Sequence, residues 1–248
     1  MVGKPQKGRR RALTPTQRKR NQRKRQKAQA LLIRRGDRLV AMQTKADRES
    51  VEVAASNTAF AASPYAHKRF ACGMVDVPLD FEARSDKGRS RAPGYNLLSA
   101  DAICGFDAPF ARDAGMYFWA WRHATKECLR IVEAWGFRKA STLYWVKTKA
   151  DGTLGYLSTG YYGMADPVEE LWVCRRGAYV APMMGDGFEH IAWLLPATEE
   201  HSAKPQVFYD EIVWLHPGVE LVEMFARQRR PLWWAYGDQI DGLIQPPL

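Results

Sequence analysis

The stretch ACGMVDVPL occupies residues 71–79 and places an aspartate and a proline directly after a short apolar run. An apolar run of this length that ends at a turn is typical of a strand buried on both faces. We therefore predict a strand over residues 71–76. Ligands of open α/β sheets bind beyond the carboxyl ends of the strands, which makes Asp76 a candidate site residue. On this spacing alone, a solvated aspartate at a strand end, beside a turn proline, is the simpler interpretation.

Strand-like and helix-like segments alternate along the rest of the chain. Strands are predicted over residues 116–121, 142–147, 170–174 and 221–225, with a further one near Trp233 and Trp234. Helices are predicted over residues 123–135, which precede Gly136, and over residues 205–216, which begin with a proline and precede Pro217. This alternation predicts an α/β fold with a central, mostly parallel sheet and helices on both faces.

Positive charge is concentrated at the N-terminus. The first 38 residues contain 15 lysines and arginines and one acidic residue, whereas the whole chain carries a net charge of only +10. A capping pattern around Pro15 and a glycine at Gly36 predict a basic helix over about residues 15–35. We predict a nucleic-acid-binding arm over residues 1–38 and a globular domain over residues 39–248. A solvated or localisation-type tail is the alternative for the arm.

Composition argues against several classes of protein. No apolar run approaches the roughly 20 residues of a membrane span, and the charged N-terminus lacks the apolar segment of a secretory signal. The four cysteines are widely spaced, which favours reduced thiols in a cytoplasm. Because no histidines have metal-ligand spacing, we predict no metal site.

A longer series of motifs resembles a known family between about residues 72 and 242. Asp76-Val77-Pro78-Leu79 is similar to the Asp-Pro-Pro-aromatic motif of amino-directed adenine methyltransferases. The order and spacing of the segments that follow resemble the MT-A70 family, which includes the eukaryotic mRNA adenosine methyltransferase and bacterial and phage DNA relatives. These segments are residues 95–99, 134–137 (AWGF), 145–148 (WVKT), 201–205 (HSAKP), 223–227 (EMFAR) and 237–242 (GDQIDG).

The resemblance implies a permuted Rossmann-like methyltransferase that uses S-adenosylmethionine, with its catalytic motif ahead of the cofactor strand. The Asp76 carboxylate and the Val77 carbonyl would accept the two hydrogens of an adenine amino group, which localises the nitrogen lone pair. Pro78 and Leu79 complete the motif. Leu79 replaces an aromatic face whose stacking on a base contributes about 1–3 kcal/mol. We therefore expect weakened adenine-N6 methylation, with a catalytically silent nucleic-acid-binding subunit as the alternative.

The resemblance also assigns the cofactor site. It places Lys204 at the methionine carboxylate, Glu223 and Arg227 around the ribose, and Asp238 and Gln239 near ribose and adenine. The residues expected to bind the cofactor are Asp76, Lys204, Glu223, Phe225, Arg227, Arg229, Asp238 and Gln239.

A polar segment over residues 80–101 interrupts the alternation and is expected to hold the substrate. The residues expected to contact nucleic acid are Arg84, Lys87, Arg89, Arg91 and Tyr95, and a disordered, solvated loop is the alternative. DNA is the expected substrate because the chain looks like bacterial and phage relatives that modify DNA, in a bacterial or phage-infected cytoplasm. The same chemistry on RNA is the alternative. A homodimer or a methyltransferase-like partner is compatible with the resemblance.

Overall fold

A computed structural model describes residues 15–80, 96–154, 167–180, 191–197, 203–240 and 243–248 of the chain. In these ranges the backbone forms an eight-stranded sheet with helices on both faces. The strands are β1 (Phe70–Val75), β2 (Phe110–Ala120), β3 (Arg138–Thr148), β4 (Val168–Arg176), β5 (Ala192–Pro196), β6 (Leu221–Met224), β7 (Trp233–Tyr236) and β8 (Ile244–Gln245). The helices are α1 (Pro15–Ala62), α2 (Ala100–Cys104), α3 (Thr125–Ala134) and α4 (Gln206–Leu215).

The sheet has the strand order β5-β3-β4-β2-β1-β6-β7-β8 and is mostly parallel, as predicted. Strands β4 and β8 run against the other six. Strand β1 pairs in parallel with β2 on one side and with β6 on the other. The chain therefore leaves β1 in one direction across the sheet and later returns on the opposite side. Such a reversal of strand order opens a crevice at the carboxyl ends of the strands.

Strands β1 and β2 are buried on both faces, which confirms the interpretation of the apolar run. Met74 and Trp119 pack in a layer with Phe208 of α4. Val75 and Phe118 pack in the opposite layer, which contains residues of α1, α2 and α3. Alternating side chains of one strand thus fill two cores, as in sheets that carry helices on both faces.

Helix α1 begins at Pro15 as predicted, but the prediction that it ends near Gly36 is wrong. It continues without interruption to Ala62. A glycine costs about 1 kcal/mol in a helix interior, and no proline occurs in the helix after its first position. The C-terminal part of α1 also has a packing face, because Val53 and Phe60 lie seven residues apart and are both buried.

The chain divides into two compact units, residues 1–48 and residues 49–248. In the first unit, the described residues belong to α1, and nearly all of their described side chains are exposed. The second unit contains the last turns of α1 and the whole sheet. The division between arm and domain at residue 38 stays a prediction. Among the described residues, no helix has the length and apolarity that crossing a bilayer requires.

Candidate active site

The carboxyl ends of β1, β6 and β7 meet at one edge of the sheet. Asp76 follows β1, Phe225 follows β6, and Gly237 follows β7. Because these strands are parallel neighbours, residues from distant parts of the chain lie side by side at this edge. This is also the edge at which the reversal of strand order opens a crevice.

Asp76 and Lys204, which were predicted to share the site, form an ion pair. The Lys204 Nζ lies 2.8 Å from Asp76 Oδ2, and the Lys204 side chain is only 6% exposed. The same Nζ lies 3.5 Å from Glu169 Oε2 and 5.4 Å from the centre of the Trp119 ring. A buried ammonium group requires compensation of this kind. The pair is therefore part of a charge cluster, which we define as Asp76, Lys204, Glu169 and Lys147.

Glu169 in β4 is a member of the charge cluster that the sequence did not predict. It lies between Lys204 and Lys147 and forms an ion pair with each of them. Burial alone would raise the pKa of Glu169, but the two ammonium groups hold it below its usual range. An acidic residue just before the apolar centre of a strand was the available signal. Its partners depend on the pairing of β3 with β4 and on the position of Lys204, which the sequence does not give.

Asp76 also lines a cavity of about 380 Å³, a size within the range of small-molecule sites. Six residues of the predicted site line it: Asp76, Pro78, Phe225, Arg227, Asp238 and Gln239. Nine further residues on its wall were not among the predicted site residues: Glu52, Ala55, Ser56, Asn96, Leu98, Phe106, Tyr236, Gly237 and Leu243. The cavity thus joins the motif after β1 to the loops after β6 and β7.

Glu223 is not among the residues that line the cavity, and its carboxylate is held by protein groups. Tyr209 Oη donates a hydrogen bond of 2.6 Å to Oε1, and Arg230 Nε donates one of 3.3 Å to Oε2. Burial raises the pKa of Glu223, and the bonds from Tyr209 and Arg230 partly offset this effect. Because Tyr209 belongs to α4, this contact ties the helix that follows Lys204 to strand β6. A ribose contact by Glu223 stays a prediction.

Arg229, predicted at the cofactor, points to the C-terminus of the chain. Its Nη2 donates hydrogen bonds to the carbonyl groups of Pro246, at 3.0 Å, and Pro247, at 3.2 Å. It does not line the cavity. The placement of Arg229 therefore gives no support to a cofactor contact and indicates that it anchors the last residues.

The predicted catalytic motif forms a tight turn after β1. The Leu79 N–H donates to the Val77 carbonyl at 2.8 Å, and the Leu98 N–H donates to the Pro78 carbonyl at 2.7 Å. A carbonyl oxygen has two lone pairs, so the Val77 carbonyl can accept a second hydrogen bond, but Val77 is not among the residues that line the cavity. Leu79 is 8% exposed and packs in the core. Its side chain therefore supports the turn and adds no stacking surface to the cavity.

The five residues predicted to bind substrate, Arg84, Lys87, Arg89, Arg91 and Tyr95, lie outside the described residues, as does His201. Their roles stay predictions. Within the described ranges, no three histidine, cysteine, aspartate or glutamate side chains are grouped as a metal site would need.

Two energetically unfavourable features occur on the cavity wall, which is characteristic of ligand sites. Phe225 has a left-handed φ of 60°. The buried Tyr236 hydroxyl makes no hydrogen bond of normal geometry within the described chain. Burial raises the pKa of Tyr236, and nearby Ser56 partly offsets this effect. The wall also holds three carboxylates and one guanidinium. An acidic cavity with an available polar group fits a cationic nucleoside such as S-adenosylmethionine.

Replacing Gly237 by alanine tests how closely the cavity loops approach one another. A Cβ at this position would lie 2.3 Å from the carbonyl oxygen of Ala226 and 2.8 Å from its nitrogen. Because both atoms belong to the backbone, the two loops must separate, and we expect a loss of about 1–3 kcal/mol in unfolding free energy. We also expect at least about tenfold weaker cofactor binding. Urea unfolding and calorimetry measure the two effects.

Gly36→Ala is the control for this substitution, because nothing lies within 4 Å of the added Cβ. It should leave cofactor affinity unchanged. A Gly237→Ala protein with the unfolding midpoint and cofactor affinity of the original chain would contradict the close approach of these loops.

Comparison with known proteins identifies the family. A family model described as MT-A70 matches residues 70–239, which include β1, the motif after it, the charge cluster and the loops after β6 and β7. A search of curated proteins finds no match. MT-A70 proteins are methyltransferases that take their methyl group from S-adenosylmethionine. The motif predicted to be catalytic precedes β6, after which predicted cofactor-binding residues lie. The chain therefore belongs to the MT-A70 family of S-adenosylmethionine-dependent methyltransferases.

Proposed function

We propose that this methyltransferase acts on the exocyclic amino group of adenine in DNA. The observation that carries the proposal is the position of Asp76. It lies at the carboxyl end of β1, forms a 2.8 Å ion pair with Lys204 and lines the cavity together with Asp238 and Gln239. This position supports the proposal, because Asp76 begins the turn predicted to hold the target base and lines the cavity that contains predicted cofactor residues.

The chemistry follows from what these residues can accept. When bound, S-adenosylmethionine supplies an electrophilic methyl group. The ion pair with Lys204 engages Asp76 Oδ2 and restricts its rotamer, so that Oδ1 can accept one hydrogen of the adenine amine. The Val77 carbonyl accepts the other hydrogen. Two acceptors favour a pyramidal nitrogen whose lone pair is no longer delocalised into the ring, and the gain comes from orientation and electrostatics.

Asp76 can also assist after methylation. Its side chain is 30% exposed, so it can pass the proton released by the amine to water. Neither step requires a covalent bond to the protein. The buried position of Leu79 means that the base is held without an aromatic partner at this position, which predicts a slow enzyme.

The charge of the N-terminal helix favours a polyanion as the substrate. The described side chains of α1 up to residue 48 are almost all exposed, and residues 1–38 hold 15 lysines and arginines but only one acidic residue. Charges on a solvated helix can contact phosphates without regard to sequence. The arm would therefore raise the affinity for nucleic acid as a whole, while the pocket selects the base.

Deleting residues 1–35 is expected to weaken binding to single-stranded DNA and to flatten its salt dependence. The logarithm of the binding constant falls with the logarithm of salt concentration by about 0.7 per neutralised phosphate in single strands. Fluorescence anisotropy between 50 and 200 mM salt, concentrations at which such slopes are resolved, measures the effect. Affinity for S-adenosylmethionine should not change, because the deletion keeps the second unit complete.

A full-length protein with Arg23, Lys24 and Arg25 replaced by glutamine is the companion to this deletion. This protein keeps the helix and loses only charge. We therefore expect a salt dependence of DNA binding between that of the original chain and that of the deletion. An unchanged slope in both proteins would exclude the arm from nucleic-acid binding.

Methyl transfer to single-stranded DNA, duplex DNA and RNA of the same sequence, measured side by side, tests the choice of substrate. We expect the highest rate on DNA, and on single strands in particular, because a base in a duplex must first leave the stack at a cost of a few kcal/mol. A higher rate of methyl transfer to RNA would contradict DNA as the substrate and indicate RNA instead. Cofactor binding without transfer to any of the three would indicate a silent family member.

A further inference from the structure

Part of the cavity wall comes from a segment that the family match does not include. The match begins at residue 70, whereas Glu52, Ala55 and Ser56 lie on α1 and line the cavity. These residues occupy one stretch of the helix, and Glu52 and Ser56 lie four residues apart, on the same face. The side chain of Glu52 is partly buried. Helix α1 therefore contributes polar groups to a pocket whose other residues follow strand ends.

Contacts on both sides of Glu52 fix this part of α1 in place. The buried Glu49 carboxylate accepts hydrogen bonds from the Ser99 hydroxyl, at 2.5 Å, and from the Ser99 N–H, at 3.1 Å. Asn57, the residue after Ser56, donates to the Gly105 carbonyl and accepts from the Asp107 N–H, both at 2.9 Å. The helix is thus attached to both ends of α2, and Glu52 lies between the two attachments.

Glu52 lies one turn of α1 before Ser56, which is close enough to the Tyr236 hydroxyl at the end of β7 to lower its pKa. Further along α1, Phe60 packs edge-on against Tyr236 with ring centres 5.6 Å apart. Tyr236 is the last residue of β7 and immediately precedes Gly237 and Asp238. Family resemblance places the nucleoside of the cofactor at Asp238 and Gln239, while Lys204 marks the methionine end. The wall formed by α1 consequently faces the nucleoside.

We propose that the Glu52 carboxylate accepts a hydrogen bond from the 6-amino group of the cofactor's own adenine. A carboxylate only accepts hydrogen bonds, and the 6-amino group is a donor, so their chemistry is complementary. An inosine-containing analogue has an oxygen at this position, and two acceptors would then face each other. Helix α1 thereby determines which nucleoside the pocket admits. The inference rests on the cofactor of the family and not on adenine being the methylated base.

Titration calorimetry of the full-length protein with S-adenosylhomocysteine and S-inosylhomocysteine tests the proposal without any need for turnover. A hydrogen bond to a charged group contributes enough that we expect the adenosyl compound to bind about 10- to 100-fold more tightly. In Glu52→Gln the amide can donate to the inosine oxygen as well as accept, so the preference should fall to about threefold or less.

Glu133→Gln on α3 is the matched control, because it removes one exposed carboxylate outside the cavity and should keep the full preference. The measurement on the original chain is informative by itself, since equal affinity for the two compounds overturns the proposal even if Glu52→Gln fails to fold. A folded Glu52→Gln protein that keeps the original preference also overturns it. These binding results do not depend on whether the protein methylates adenine. The proposal on Glu52 and the proposed function can therefore be refuted independently of each other.

Discussion

Replacing Asp76 by asparagine is expected to lower the rate of methyl transfer by about 100- to 1000-fold, the usual effect of removing one group that stabilises a transition state. Asparagine has nearly the same shape but no charge, and its amide can present a donor to an amine that needs an acceptor. Single-turnover kinetics with saturating S-adenosylmethionine and single-stranded DNA measure the chemical step. Affinity for the cofactor should change much less than the rate, because the other residues of the pocket remain.

Glu133→Gln, which also removes one carboxylate from the second unit, should retain the original rate. Circular dichroism of both proteins separates loss of chemistry from loss of fold. A folded Asp76→Asn protein that transfers methyl groups at the original rate would remove Asp76 from the catalytic machinery.

Replacing Lys204 by methionine is expected to reduce both cofactor affinity and stability. Methionine fills a similar volume but leaves Asp76 and Glu169 without the ammonium group that lies 2.8 Å and 3.5 Å from them. A charge-assisted hydrogen bond to the methionine carboxylate of the cofactor would be lost as well, and we expect about 10- to 100-fold weaker binding. The loss of stability should be about 1–2 kcal/mol, less than for a fully buried pair, because both carboxylates are partly exposed.

The pH dependence of stability gives a second measurement on Lys204→Met. The pKa of Glu169 is lowered in the folded protein from an ordinary value of 4.5, so its ion pairs stabilise the fold above that pH. This contribution is lost as the pH falls through the lowered pKa. Lys204→Met should therefore be less stable at neutral pH and lose less stability on acidification. Lys126→Met on the exposed face of α3 is the control, and equal acid sensitivity in both variants would contradict this account of the charge cluster.

Local patterns were sufficient to predict the central part of the fold. The apolar run over residues 71–76 and the helical patterns over residues 123–135 and 205–216 correspond to β1, α3 and α4. Strand β5 was not predicted because its five residues, AWLLP, are uniformly apolar and too few to show an alternating pattern. The extension of α1 is not evident from the sequence, because Gly36 is a typical helix stop and the buried positions that follow it, such as Val53 and Phe60, are widely spaced.

Site residues that directly follow a strand could be predicted from the sequence. Site residues whose neighbours depend on strand pairing or helix packing could not. Asp76, Asp238 and Gln239 line the cavity because each follows the carboxyl end of a strand. Glu169 enters the site through the pairing of β4 in the sheet, and Glu52 enters through the packing of a helix. Neither the strand pairing nor the helix packing can be predicted from the local sequence. For Arg229 the sequence predicted a site residue that the structure does not bring to the cavity. It follows the segment over residues 223–227, but its side chain binds the carbonyl groups of Pro246 and Pro247.

Mass spectrometry of the methylated nucleoside tests the central claim most directly. Single-stranded DNA is incubated with the full-length protein and S-adenosylmethionine that carries an isotopically labelled methyl group, and is then digested to nucleosides. The account predicts labelled N6-methyldeoxyadenosine with the original chain and a strongly reduced amount with Asp76→Asn. Label on cytosine, or equal label on adenine with both proteins, would contradict it.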